Sequence, residues 1–205
     1  MKKQKESTIY KARDGDRKAY QELVEFWHPR IYNFAYKYFS SNSRRGVPHD
    51  LAMEVSQKTF ISVHRNLGKL QDTKRFKGWL YRIALNYCYE EDRRNQRKPI
   101  FSFQELGKHQ EVSLRDSYVE RSTSPYASVR KQNCKEWIYK ALEQIPKEQR
   151  TVVIMKEFEG LKFKEIAQSL EISENTAKSR MYYGLHALRK IFEAWDLDKE
   201  SMLYE

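Results

Sequence analysis

The sequence predicts an all-α chain: two small helical domains joined by a linker. Three observations predict it. Glycine and proline are scarce, with 7 and 5 among 205 residues, which favours helices over the turn-rich strands of a β-sandwich. Apolar residues recur every three or four positions from Ile9 to Tyr87 and again from Trp137 to Leu188, the period of helices that bury one face. Between these blocks, from Pro99 to about Arg130, the period is weak and the composition is mixed, as expected of an interdomain linker. The expected boundaries are a first domain over 1–98, a linker over 99–130, a second domain over 131–195 and a loose tail over 196–205.

Each element has its own signals. Ile9 to Phe39 reads as two helices broken at Gly15, with Asp16 as the N-cap of the second. Ala19, Leu23, Phe26, Trp27, Ile31, Phe34 and Phe39 form its apolar stripe, and Pro29 is expected near a kink or a helix junction. SSNSRRGVP is a loop. The next helix is expected to start at a His49 or Asp50 N-cap and to end near Gly68. Ala52, Val55, Phe60, Val63 and Leu67 gather on one face, and Glu54, Gln57, Lys58, Ile61 and Arg65 on the other. Ile61 is apolar among charges, which reads either as a partner contact or as one ordinary exposed isoleucine.

The segment FKGWLYRIALNYCYEEDRRNQRK follows the basic loop QDTKRFKG as a helix. Trp79, Leu80, Ile83, Ala84 and Tyr87 are its expected core stripe. Lys74, Arg75, Lys77, Arg82, Arg93, Arg94, Arg97 and Lys98 surround that stripe. Cations interleaved with aromatic rings suit nucleic acid, since cations meet phosphates and rings stack on bases. A solvated basic helix with a core tryptophan fits equally well. Glu90-Glu91-Asp92 is expected to be a solvated face, because adjacent helical positions do not face one another.

Composition bounds the function. Against 28 Asp and Glu stand 39 Lys and Arg, a formal net charge of +11, the footprint of a polyanion partner. Hydrophobic residues at 40% are enough for real cores. Cys88 and Cys134 form no CxxC and no disulfide framework, which fits a reducing cytoplasm. No apolar run reaches membrane-spanning length, and MKKQKEST lacks the apolar core of a signal peptide. There is no GxxxxGK loop, no HExxH and no metal-spaced Cys/His cluster, so neither an enzyme nor a cofactor is expected.

The second domain carries the most specific pattern. Trp137, Ile138, Ala141, Leu142 and Ile145 share a face, Pro146 opens the next helix and Gly160 ends it. LKFKEIAQSL is a short helix, EIS a tight turn, and Ser173 the N-cap of a helix running to Phe192 or Trp195. This is a helix-turn-helix. Ile172, Ala177, Met181, Leu185 and Leu188 are expected to face inward. The last helix opens with short polar residues, as suits the end that enters a major groove. Asn175, Thr176, Lys178, Ser179 and Tyr182 can hydrogen-bond base edges or phosphates there. Arg180, Tyr183 and Arg189 are expected to position the helix on the backbone.

These blocks, in this order, resemble the extracytoplasmic-function sigma factors. The stretch from Ile145 to Lys190 resembles their region 4, Phe76 to Lys98 their regions 2.3–2.4, and His49 to Leu67 their region 2.2. The resemblance implies a factor that binds core RNA polymerase, at the clamp region of its β′ subunit, and directs it to promoter DNA. It implies polymerase contacts at Glu54, Gln57, Lys58, Ile61 and Arg65. It implies minus-ten contacts at Lys74, Arg75, Lys77, Trp79, Arg82 and Asn86, with the Gly68–Lys77 loop holding a flipped base. It also implies minus-thirty-five contacts at Lys178, Ser179, Tyr182 and Tyr183. In this family an anti-sigma factor often clamps both domains. Two positions depart from the family's pattern: Gln57-Lys58 stands where Gln-Glu is usual, and Tyr183 where Arg is common. The rival reading is a stand-alone helix-turn-helix regulator, which would need a dimer interface; no sustained heptad seam is present.

Overall fold

The computed structural model describes residues 6–41, 47–97 and 125–196. Most of the linker and the tail from 197 lie outside the described residues. Eight α-helices stand in two groups, with no strand among the described residues. The first group is α1 (Glu6–Arg13), α2 (Arg17–Ser40), α3 (Pro48–Asn66) and α4 (Phe76–Arg97). Two 3-10 turns, Leu67–Lys69 and Thr73–Arg75, connect α3 to α4. The second group is α5 (Pro125–Gln144), α6 (Lys147–Val153), α7 (Phe163–Leu170) and α8 (Glu174–Ala194).

Local chemistry explains the boundaries. Gly15 takes a φ of 97°, which a side chain would resist, and breaks α1 from α2. Asp16 then accepts from the backbone amides of Lys18 and Ala19, as the sequence predicts. Pro29 does not end α2, which runs through it from Arg17 to Ser40; packing along both flanks holds the helix across the one missing amide. The start of α3 differs from expectation as well. It begins at Pro48, whose ring presets the first helical φ. His49 is not a cap: its Nδ1 meets the Tyr32 hydroxyl at 2.6 Å and ties α3 to α2.

The first core is aromatic. Trp27 packs edge-on against Phe76 and Tyr81, and Tyr81 edge-on against Phe34, the arrangement that ring quadrupoles favour. The α4 stripe is rotated from its expected face. Leu80 and Ala84 are buried, but so are Tyr81, Leu85 and Cys88, while Trp79, Ile83 and Tyr87 are half-buried. The reason is that α4 packs against α3 on one side and α7 on another. Glu91 and Asp92 are also buried, correcting the expectation of a solvated acidic face; only Glu90 stays exposed. Their charges are met by Lys58 and Arg94, at 2.9 Å each from Glu91, and by Lys147, at 3.0 Å from Asp92, which also accepts from the Tyr38 hydroxyl.

In the second group α6 continues as a π-helical turn over Ile154–Phe158 and stops at Gly160, with φ 62°. Ala177, Met181 and Leu188 face inward as expected. Leu185 does not: it is 46% exposed, and the buried neighbour on that turn is Gly184. A methyl group on Gly184 would lie 3.0 Å from Val153 and 3.4 Å from Gln149. The glycine therefore sets the close approach of α8 to α6.

Candidate nucleic-acid and polymerase interfaces

The helix-turn-helix is built by α7, its turn and α8. Leu161, Ile166 and Ala167 are buried, and the Glu165 carboxylate accepts from the Lys162 amide at 2.7 Å to open α7. Glu171 closes α7 with a left-handed φ of 55°, and the Ile172 amide returns to the Ala167 carbonyl. Ser173 Oγ accepts from the Thr176 amide at 3.0 Å. This places Asn175, Lys178, Ser179 and Tyr182 on one exposed face of the first turns of α8. Thr176 is exposed too, with its hydroxyl 2.8 Å from that of Ser173. Tyr183 is exposed and stands edge-on to Tyr182, whose ring lies parallel to His186. Arg180 is half-buried, and Arg189 pairs with Glu193 at 2.7 Å.

The second surface lies where α3 meets α4. A cavity of about 600 Å³ opens between the end of α3, the 3-10 turns and α4, within the size range of clefts that hold small molecules. Arg75, Trp79 and Ile83 line it, and Lys74 is exposed nearby. The rest of its wall is Leu70 and the polar residues Ser62, Asn66, Lys69, Gln71 and Asp72. Asp72 accepts from the Lys74 amide and shapes the turn. Ser62 and Asn66 were not singled out by sequence reasoning. Their spacing of four, just before Gly68, is the signal that could have found them. Asn86 is exposed farther along α4. Lys77 and Arg82 are instead engaged by the second domain. Lys77 donates to the Gly160 carbonyl at 3.2 Å and lies 3.5 Å from Glu165, while Arg82 lies 2.5 Å from Glu171.

The five α3 residues divide into two sets. Gln57, Ile61 and Arg65 are exposed in a row and line a groove of about 630 Å³ with Tyr20, Val24, His28, Phe60 and His64. Ile61 is 53% exposed, the most open apolar side chain on α3. Glu54 and Lys58 turn toward α4 instead. Lys58 lies 2.9 Å from both Glu54 and Glu91, and Arg94 lies 3.3 Å from Glu54. The hydrogen bond to Glu91 raises the Lys58 pKa, and the hydrogen bond from Lys58 lowers that of Glu54.

Two family models match this chain: Sigma-70 region 2 over residues 23–98 and Sigma-70, region 4 over residues 135–188. The chain is 27% identical over 183 residues to the ECF RNA polymerase sigma factor SigW of Bacillus subtilis, spanning 89% of this chain and 93% of that protein. Its fold is similar to that of CnrH, solved in complex with the cytosolic domain of CnrY, with a TM-score of 0.64 and 18% identity over 92% of this chain and 97% of the other. It is also similar to the sigma factor RpoE of Bartonella quintana, solved with the anti-sigma factor NepR, with a TM-score of 0.61 and 18% identity over 86% and 98% of the two chains. The pairing of a region 2 helical domain with a region 4 helix-turn-helix defines a sigma-70-type architecture. Within it, the chain belongs to the extracytoplasmic-function sigma factors, which direct RNA polymerase to promoters. No helix among the described residues is long and apolar enough to cross a membrane.

Proposed function

We infer that residues 1–98 bind core polymerase and capture the minus-ten element, and that residues 131–195 read the minus-thirty-five element. The observation that carries this reading is the pairing of two unlike surfaces. The exposed polar start of α8 suits duplex DNA, whose major groove admits a helix. The cavity between α3 and α4, walled by Trp79, Arg75, Asn66 and Gln71, suits a base that has left the stack. Lys74, Arg75, Lys77, Trp79, Arg82 and Asn86 are the minus-ten set. Asn175, Thr176, Lys178, Ser179, Tyr182 and Tyr183 are the minus-thirty-five set. The Gln57–Ile61–Arg65 row and its groove receive the polymerase clamp, with Glu54 and Lys58 bracing the helix behind it.

The chain acts in the cytoplasm and performs no covalent chemistry; it supplies binding free energy that favours strand separation. Flipping one nucleotide costs a few kcal/mol, which capture of exposed bases offsets. An anti-sigma factor is a further partner, by analogy with the Bartonella complex. Run-off transcription with host core polymerase, with and without this chain, tests the reading. Initiation at promoters sharing two spaced upstream elements is expected. No stimulation, together with tight sequence-specific binding by the free chain, would instead identify a stand-alone regulator.

A further inference from the structure

One wall of the cavity between α3 and α4 is the short segment of 3-10 turns, which carries Lys69, Leu70, Gln71, Asp72 and Arg75. Its ends are fixed by burial of Leu67 and Phe76, with the Phe76 ring edge-on to Trp27. Between these ends the hydrogen bonds are local. The Leu70 amide returns to the Leu67 carbonyl, the Arg75 amide to the Asp72 carbonyl, and the Lys74 amide to the Asp72 carboxylate. Such bonds shape each turn without fixing where it sits on the protein. Thr73 supplies that fix. Asp72 and Lys74 on either side of it face solvent, while Thr73 turns inward and is 2% exposed. Its hydroxyl donates to Glu6 Oε1 of α1 at 3.1 Å. Among the described residues, this is the one side-chain hydrogen bond joining residues 67–75 to another element. Glu6 stands one turn before Ile9, and Ile9 and Ala12 bury α1 against the first core. Glu6 is otherwise exposed, so replacing it opens no hole in that core.

We propose that Glu6 is a positioning residue for minus-ten capture: through the Thr73 hydroxyl it fixes the turn that carries Asp72 and Arg75, and so holds the cavity in the shape that a flipped base enters. The proposal rests on the assignment of this cavity to the minus-ten element. Neither Glu6 nor Thr73 lines the cavity, so the pair acts on the base only through the turn. Two physical arguments support the role. A buried hydroxyl left without a partner is costly, so the turn is pinned where Thr73 reaches Glu6. A turn that is already ordered then has no freedom to lose when the base arrives, whereas an untied one must be ordered at that moment. Glu6 has a competing role, because an acid in the first turn of a helix favours the helix by its charge alone. Glutamine separates the two. It keeps a carbonyl acceptor for the Thr73 hydroxyl and drops the charge.

Base capture by the full-length chain bound to host core polymerase tests this. The probe is the non-template single strand of a promoter found by run-off transcription, with 2-aminopurine placed at each minus-ten position in turn. At one position the fluorescence should change as the base leaves the stack and enters the cavity beside Trp79. Glu6→Ala and Thr73→Val should each weaken strand binding by about three- to tenfold, the range set by one net hydrogen bond, and shrink that signal at saturation. Glu6→Gln should behave as wild type. The Glu6→Ala/Thr73→Val double variant should be no worse than either single one, because both remove the same bond. Glu6→Gln matching Glu6→Ala, or losses that add in the double variant, would overturn the proposal. Binding of minus-thirty-five duplex should be unchanged in every variant; an equal loss there would mark general damage to the fold and overturn it too. Capture at one position that is indifferent to Glu6 and Thr73 sinks the positioning role alone. If the wild-type complex captures no base at any position, the minus-ten reading of the cavity fails, and the positioning role with it.

Discussion

The Lys58 ammonium is a local brace rather than a bare reversed charge. It sits between Glu54 and the buried Glu91, so the departure from the family's Gln-Glu pattern is neutralised within the chain. Lys58→Met should destabilise the first domain by about 1–2 kcal/mol, the low end for leaving a buried acceptor short of a partner, since Arg94 remains and the lysine is partly solvated. The effect should depend on pH with a definite sign. The Glu54 pKa is lowered on folding, so its share is present above about pH 4.3 and is lost as pH falls through the folded value. The Lys58 pKa is raised, so its share is present below about pH 10.4 and is lost as pH rises through the folded value. Urea titrations of both proteins at pH 3, 7 and 11 would show the difference largest at pH 7. Two DNA-facing residues make a complementary pair of tests. Lys178→Ala should weaken binding to minus-thirty-five duplex by about 1–3 kcal/mol, the usual range for a base-edge contact. Asn86→Ala should leave that duplex affinity alone and reduce permanganate reactivity of the melted strand. Equal, wild-type behaviour of both would remove these residues from the interface.

At the scale of an element, α8 depends on two small residues. Ser173 caps it, and Gly184 lets it approach α6. Ser173→Ala should cost about 1 kcal/mol by leaving the Thr176 amide without its cap. Gly184→Ala brings a methyl group within 3.0 Å of Val153. Overpacking of this kind costs about 1–3 kcal/mol, against which the better helix propensity of alanine returns up to about 1 kcal/mol. A net loss of stability is therefore expected in chemical denaturation, and a gain would show that α6 and α8 separate without resistance. The π-helical turn matters at the same scale. It ends α6 so that Glu159 lies against Lys37 and Tyr81 of the other domain. Burial and the adjacent Glu159 charge push the Tyr81 pKa far up, so its hydroxyl remains a donor across the working pH range.

For the whole molecule, the +11 charge is unevenly available. Lys37, Lys77 and Arg82 are paired across the domains, and Lys58 and Arg94 are paired within the first. Lys74, Arg75 and Lys178 remain exposed toward solvent at the two proposed DNA surfaces. Affinity for duplex promoter DNA should fall steeply with salt, and Lys178→Ala should lower the slope of log K against log salt by about 0.9 if Lys178 meets a phosphate. An unchanged slope with lower affinity would assign it to a base edge instead. Either result is read from one titration series in fluorescence anisotropy.

The helices, the Gly15 break, the Asp16 and Ser173 caps and the helix-turn-helix were legible in the sequence by itself, because each depends on residues three or four positions apart. The order of the motif blocks was equally legible, and with it the family. Only the tertiary structure decided which face of α4 is buried, why Glu91 and Asp92 lie in the core, that Leu185 faces solvent while Gly184 does not, and which cations are already occupied. These outcomes depend on partners far away in the chain: Lys37 and Glu159 are 122 residues apart. Helical periodicity records that a helix has an apolar side. It does not record a second domain whose carboxylates neutralise the charged side, since that energy exists only once the two surfaces meet.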